Sequence, residues 1–293
     1  MKRCDFQACC YKTDYPQTKP YGYMQNICVV IAALNESPRI AAALHGVLQS
    51  QVSDEIIVVD DGSDDGTAAA AAAAGASLVL TNAVNLGKAE SVDRGIASSR
   101  RPIILLCDAD VVIDPDIIRA VVEPVQKGQV HMMIGCHSGP GSDKFNSCSV
   151  DGAPASSFGV FSGLRCLTRE LWERMHPSFK RGYNMELGLN LTARWSKARV
   201  KMAPFVYTHT TKSKKNHVRS ASQYARMHLQ IGRQYVYAYL LLAPPDVQAA
   251  SWVILLLMIA ALLLLLVGAP VISSRKIKKQ ATVFTTFYGA GRV

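Results

Sequence analysis

A chain of 293 residues, 49% apolar and 18% charged, has ample material for a core and too little charge to be wholly disordered. Its net charge of +10 is unevenly spread: residues 1–150 carry 12 Lys and Arg against 17 Asp and Glu, and residues 151–293 carry 20 against 5. An acidic front suits a metal or nucleotide and a basic back suits phosphate or an anionic membrane; with no nucleic-acid-binding motif beside the charge, nucleic acid is not an expected partner.

Residues 1–25 read as a polar, turn-rich extension without a secretory signal. Ile27–Ala33 is a β-branched apolar run that predicts a buried strand, Asn35 to Pro38 punctuate it, and Ile40–Leu48 has helical spacing. Glu55–Val59 predicts a second strand, running into Asp60-Asp61-Gly62-Ser63-Asp64-Asp65-Gly66-Thr67. The alanine tract Ala68–Ala74 predicts a helix closed by Gly75. Leu78–Leu80 is a third strand, Lys88–Ser98 a helix, and Ile103–Cys107 a fourth strand that ends in Asp108-Ala109-Asp110. Asp114-Pro115 opens another helix, and Val130–Ile134 predicts a fifth strand. This alternation predicts an α/β fold, a mostly parallel sheet flanked by helices. Residues 138–157 read as a loop, followed by helices near Thr168–Met175 and Glu186–Ser196 and a strand near Val200–Tyr207.

The C-terminal part has a different character. A helix is predicted over about residues 217–242, with Arg219, Arg226 and Arg233 on one face and an apolar stripe opposite, as in a helix lying in a membrane interface. Trp252 to Ile272 are 21 residues without a charge, long enough to cross the hydrocarbon core or to re-enter it with a bend at Pro270 or Pro244-Pro245. Arg275, Lys276, Lys278 and Lys279 follow. The eight cysteines contain no CxxC pair and read as reduced thiols. The expected location is a membrane, either the bacterial inner membrane or the endoplasmic reticulum, with the globular domain facing the cytoplasm.

Chemistry gathers at strand ends, where open α/β sheets bind their ligands. Asp108-x-Asp110 places two carboxylates at a strand exit, able to hold one hard cation against a diphosphate. Single histidines at 131, 137 and 176 read as structural, Gly139-Pro140-Gly141 lacks the lysine of a P-loop, and no GxGxxG follows the first strand.

Taken together, Ala32-Ala33-Leu34-Asn35-Glu36, Val59–Thr67, Asn85-x-Gly87-Lys88 and Asp108-Ala109-Asp110 resemble a family 2 glycosyltransferase of GT-A fold over residues 26–215. Ser162-Gly163-Leu164-Arg165, Gly182-Tyr183-Asn184-Met185-Glu186 and the basic run with a membrane segment look most like enzymes that make dolichyl- or polyprenyl-phosphate sugars. The resemblance implies donor-nucleotide contacts from Ala32, Leu34, Glu36 and Asp61, with Lys88 and Ala109 also in the nucleotide-sugar site. It implies Mg²⁺ or Mn²⁺ on Asp108 and Asp110, an acceptor-phosphate contact from Arg165, and a structural or active-site role for Glu186. Ala32 and Leu34 stand where many relatives have Pro and Tyr, and Val112 replaces a polar residue that assists the metal in some members. His209 and Lys215, six residues apart, match phosphate-contacting positions of these relatives, and Lys212 lies between them. The expected reaction is inverting transfer of a sugar from a nucleotide diphosphate to a lipid phosphate. A phosphate monoester is already largely ionised near pH 7, so the site needs positive charge more than a base. The alternatives are another lipid or glycan acceptor on the same fold, or a catalytically silent membrane-bound partner. The expected organisation is an extension (1–25), the transferase domain (26–215), an interfacial helix (216–243) and a membrane segment with a basic tail (244–293).

Overall fold

The computed structural model describes residues 26–137, 162–182, 184–205, 208–209, 229 and 232–260. The chain divides into two compact units, Met1–Gln234 and Tyr235–Val293.

In the first unit the described strands are β1 (Ile27–Ala33), β2 (Glu55–Asp60), β3 (Leu78–Thr81), β4 (Ile103–Asp108), β5 (Val111–Val112), β6 (Met132–His137), β7 (Arg165–Thr168), β8 (Val200–Phe205) and β9 (Thr208–His209). Seven form one sheet in the order β3-β2-β1-β4-β7-β6-β8, while β5 and β9 pair separately. β1 is parallel to both β2 and β4, and β3 is parallel to β2. β7 runs antiparallel between β4 and β6, and β8 is parallel to β6. The chain leaves β1 in one direction for β2 and β3 and then returns to the other side for β4. The crevice beyond the carboxyl ends of β1 and β4 is therefore the switch point at which such sheets bind ligands.

The helices are α1 (Ile40–Ser50), α2 (Thr67–Ala73), α3 (Lys88–Ala97), α4 (Pro115–Gln126), α5 (Arg169–Glu173) and α6 (Met185–Trp195). β1 is buried almost throughout because both faces of the sheet are covered, which is why its sequence is continuously apolar rather than alternating. Ile27, Val29 and Ile31 pack in one cluster with Leu44 of α1, Ala71 of α2 and Val121 of α4. On the opposite face Gly95 of α3 lies directly on Val30 and Val59. Asp114 caps α4 by accepting from the Asp116 backbone N–H, with Pro115 in the first turn.

The elements predicted up to β4 are present within a residue or two, and β6 starts two residues and ends three residues later than predicted. β7 was not expected: residues read as a motif and the start of a helix form an inner strand, and the helix shrinks to α5. Cys28, Cys107 and Cys166 are free and buried, as expected of reduced thiols. Cys136 is disulfide-bonded, a departure from that reading, and its partner lies outside the described residues.

His131, the residue before β6, is buried, and its Nδ1 accepts the Arg199 backbone N–H at 2.8 Å. Burial, with Arg199 and Arg174 adding to it against Glu170, pushes its pKa down to about 4. The folded value lies below the unfolded one, so its contribution is present above about pH 6.5 and disappears as pH falls through about 4. Denaturant midpoints should fall over that window, and His131→Gln should flatten the slope.

In the second unit, Ala238–Leu242 form a π-helical turn, Ala243 is extended, and residues 245–260 are helical. The break falls at the predicted Pro244-Pro245 position. Trp252, Val253, Ile254, Leu256, Leu257, Met258 and Ile259 are all exposed, so apolar side chains surround the helix instead of lining one face. Among the described residues no helix is long and apolar enough to cross a membrane. The predicted segment 252–272 is described only to residue 260. Arg219 and Arg226 of the predicted interfacial helix lie outside the described residues, and Arg233 is exposed.

Candidate active site

Two loops at the ends of β1 and β2 are laced together by short polar side chains. The Asp61 backbone N–H donates to the Ala33 carbonyl at 2.8 Å, Asn35 N–H to Ser63 Oγ at 2.9 Å, and Glu36 N–H to Thr67 Oγ1 at 2.8 Å. Asp64 N–H donates to Asn35 Oδ1, and Ser37 N–H to Asp65 Oδ2. Burial opposes the charge on Asp65, but hydrogen bonds from Thr67 and the Ser37 N–H outweigh it and hold the carboxyl below its usual range. The spacing of the octet is thus explained by which backbone N–H groups its carboxylates and hydroxyls must reach.

Asp61 has a second task. Its Oδ1 accepts from Asn82 Nδ2 and the Leu86 N–H, and its Oδ2 from the Gly87 N–H, each at 2.8 Å. Gly62, at φ +80, lets the 84–85 backbone pass so close that a Cβ would stand 2.8 Å from the Val84 carbonyl carbon. Asp61 therefore fixes the residue that precedes Lys88. Asp61→Asn replaces one acceptor oxygen with a donor facing N–H groups. It should cost about 2–4 kcal/mol of stability, measured by urea unfolding, and lower activity as Lys88 loses its seat.

Lys88 opens α3 and reaches across the crevice: Nζ lies 2.7 Å from Asp108 Oδ1 at the end of β4 and 3.1 Å from Glu186 Oε1 in the first turn of α6. Burial would lower the lysine pKa, but the Asp108 and Glu186 carboxylates raise it above its ordinary value. Burial would raise that of Glu186, but Lys88 and Arg165 hold it below the usual carboxylate range. Glu186 is therefore an ionised acceptor at neutral pH. Two residues after Lys88 on the same helix, Glu90 Oε2 accepts the Gly182 N–H at 3.0 Å, a second link from α3 to the chain ahead of α6.

Arg165 of β7 is fully buried. Its Nε donates to the Ser162 carbonyl at 2.9 Å and its Nη1 to Asn190 Oδ1 at 2.8 Å. Burial pulls its pKa down to about 10, against the fields of Glu186 and Asp108. It is a fixed positive charge beneath the carboxylates, where direct contact with an acceptor phosphate had been expected. Gly163 lies flat against Asp108: a Cβ there would stand 2.0 Å from Oδ2 and 2.3 Å from Oδ1.

The other expected residues fall around this centre. Ala32 is in register with Asp108, which sets it beside the carboxylates, and Leu34 is exposed on the following loop. Glu36 is ion-paired with Arg39, which also feels the Asp110 charge. Ala109 is buried and Asp110 is partly exposed. His209 pairs through its backbone with Val111, next to Asp110, so β9 begins the basic run beside the acidic pair. Lys212 and Lys215 lie outside the described residues. Sequence reasoning assigned no role to Gly163, Asn82 or Asn190. Asn190 had a signal, lying four positions after Glu186 and thus on the same helix face; a glycine read for its missing side chain gives none.

Among the described residues no cluster of three or more His, Cys, Asp or Glu could hold a metal by itself. Two oxygen donors, Asp108 and Asp110, nonetheless fit Mg²⁺ or Mn²⁺, which commonly keep water and bind one or two carboxylates together with substrate phosphates.

A family model described as glycosyl transferase family 2 matches residues 28–182, more than half the chain. No curated protein matches. A crystal structure of a mycobacterial protein is 24% identical with a TM-score of 0.58, covering 76% of each chain. Glucosyl-3-phosphoglycerate synthase from Mycobacterium tuberculosis, solved with Mn²⁺, uridine diphosphate and glucosyl-3-phosphoglycerate, is 22% identical with a TM-score of 0.58, covering 79% of this chain and 82% of its own. The same enzyme solved with Mg²⁺ and uridine diphosphate gives a TM-score of 0.54 at 22% identity, covering 78% of this chain and 82% of its own. At these identities the likeness is one of fold.

Proposed function

The chain belongs to glycosyl transferase family 2 and is a glycosyltransferase, and from that premise we propose that it moves a sugar, with inversion, from a nucleotide diphosphate to a polyprenyl or dolichyl phosphate at a membrane. The observation that carries this reading is the meeting of Lys88, Asp108 and Glu186 over buried Arg165 at the switch point of the sheet. Asp108 and Asp110 would hold a divalent cation, which when bound neutralises the diphosphate of the donor. Similar structures solved with Mn²⁺ or Mg²⁺ and uridine diphosphate support that role. Glu186, held ionised, accepts hydrogen bonds from the sugar and cannot donate a proton to it. Lys88 and Arg165 supply positive charge as the bond from the anomeric carbon to the diphosphate oxygen breaks. The acceptor oxygen forms the new bond, and the pair from the broken bond leaves with the diphosphate.

The lipid phosphate is supported by the +15 balance of residues 151–293, by β9 setting His209 beside the acidic pair, and by the uncharged run 252–272. Arg165 then acts through the field beneath the site, and His209, Lys212 and Lys215 are the acceptor-contacting groups. A second reading keeps the donor and takes a small phosphorylated acceptor, favoured by a similar structure solved with UDP-glucose and phosphoglyceric acid. Three buried free thiols favour a cytoplasm-facing domain. Incubating membranes carrying the protein with a nucleotide-sugar panel, Mn²⁺, and either polyprenyl phosphate or phosphoglyceric acid decides the acceptor. A glycosylated lipid identified by mass, about 10- to 100-fold weaker in Lys215→Ala, is the expected result. Transfer to phosphoglyceric acid alone would establish the second reading.

A further inference from the structure

The carboxylate that our reading gives to the divalent cation is already paired with a lysine. Lys88 Nζ touches Asp108 Oδ1 at 2.7 Å, and a cation on that carboxylate would meet like charge at contact distance and compete for the same lone pairs. The two side chains are 38% and 32% exposed, so solvent-borne ions reach Asp108 and the lysine head has room to turn. Its other partner, Glu186, is only 13% exposed and lies on a different helix, so it can retain the ammonium when Asp108 lets go. Arg165 has no such freedom: it is buried and held by the Ser162 carbonyl and Asn190. The site thus has one fixed and one movable positive charge.

We infer that Lys88 is a resident counter-ion of Asp108 that the divalent cation displaces, and that the freed ammonium turns, still tethered by Glu186, to the diphosphate of the donor. The cation alone must then break an ion pair, whereas the cation arriving with a diphosphate offers Lys88 a new anionic partner. Cation and nucleotide consequently raise each other's affinity, by the same factor in both directions. This rests on the reading that Asp108 and Asp110 hold the cation, and the test separates the two.

Mn²⁺ binding to the full chain is followed by the electron paramagnetic resonance of free Mn²⁺, with and without UDP, and needs no turnover. Without UDP, Lys88→Met should bind Mn²⁺ up to about fivefold more tightly than wild type. UDP should then strengthen Mn²⁺ binding less in Lys88→Met than in wild type. In an Asp108→Asn background the Lys88 substitution should have no effect. Lys88→Gln, which keeps a polar head, should move affinity in the same direction and stands in if the methionine variant misfolds. Unchanged or weaker Mn²⁺ binding in both lysine variants, with Asp108→Asn weakening the wild type, overturns the displacement and leaves the cation site intact. Equal UDP enhancement in wild type and Lys88→Met overturns the cooperativity. Mn²⁺ binding indifferent to Asp108→Asn overturns the cation site, and the displacement with it.

Discussion

Asp108→Asn should lower sugar transfer by about 10²–10³-fold while moving the thermal midpoint by no more than a few degrees. The activity loss follows from position. Asp108 ends β4 at the switch point, in register with Ala32, and shares Lys88 with Glu186. Losing its charge removes a ligand that our reading gives to the cation, and leaves Lys88 and Arg165 facing one carboxylate, Glu186, in place of two. The small stability cost follows from exposure and from the second partner. The Asp108–Lys88 pair is about one-third open to solvent, where such pairs contribute at most about 1 kcal/mol, and Lys88 keeps Glu186. Asparagine has the shape of aspartate, so the contact with Gly163 survives. Asp61→Asn is the converse: its carboxylate serves three donors inside the fold, and its removal costs stability first. Transfer measured at saturating donor beside a melting curve distinguishes the two aspartates. Wild-type turnover in Asp108→Asn would remove Asp108 from the site.

How far the sequence carried depended on whether the relevant signal is local. β1, β2 and β4 are continuous apolar runs because a parallel sheet covered on both faces requires it, and their ends are marked by polar clusters. The acidic pair and Lys88 were therefore legible as strand-end and helix-start residues. β7 was not, because RCLT is four residues long and falls where a motif runs into the start of a predicted helix; only the non-local pairing with β4 and β6 makes it an inner strand. The same non-locality hides the burial of Arg165, for which the resemblance implies an acceptor contact and whose Nη1 donates to Asn190 Oδ1 inside the protein. For Asp61 the resemblance implies a donor contact, whereas its structural task was not legible, because the loop it clasps lies more than twenty residues away in sequence. The pairing of β9 with β5 joins segments about a hundred residues apart, and no periodicity in two residues could have announced it.

Gly163→Ala should cost about 10²-fold in turnover, although the side chain added is a single methyl group. A Cβ at 163 would stand 2.0 Å from Asp108 Oδ2 and 2.3 Å from both Oδ1 and Cγ, far inside van der Waals contact with all three carboxylate atoms. Something must give, and the aspartate is softer than the backbone of the segment leading into β7. Leu164 of that segment is buried in the core, and the Ser162 carbonyl is held by buried Arg165. Asp108 must therefore rotate about its own side-chain bonds, which draws Oδ1 away from Lys88 Nζ. Moving a reacting or ligating group by about 1 Å is enough for a loss of that size. The fold should persist, because the yielding atoms are partly exposed and no buried donor is stranded. Turnover is the main readout, and Mn²⁺ affinity is the second, since a misplaced Asp108 ligates poorly whether or not the enzyme turns over. Asp108→Asn should abolish the difference between glycine and alanine at 163, because the residual activity no longer depends on where that carboxylate points. Wild-type turnover and Mn²⁺ affinity in Gly163→Ala would mean that the backbone yields instead, and the glycine would then be an accident of the loop.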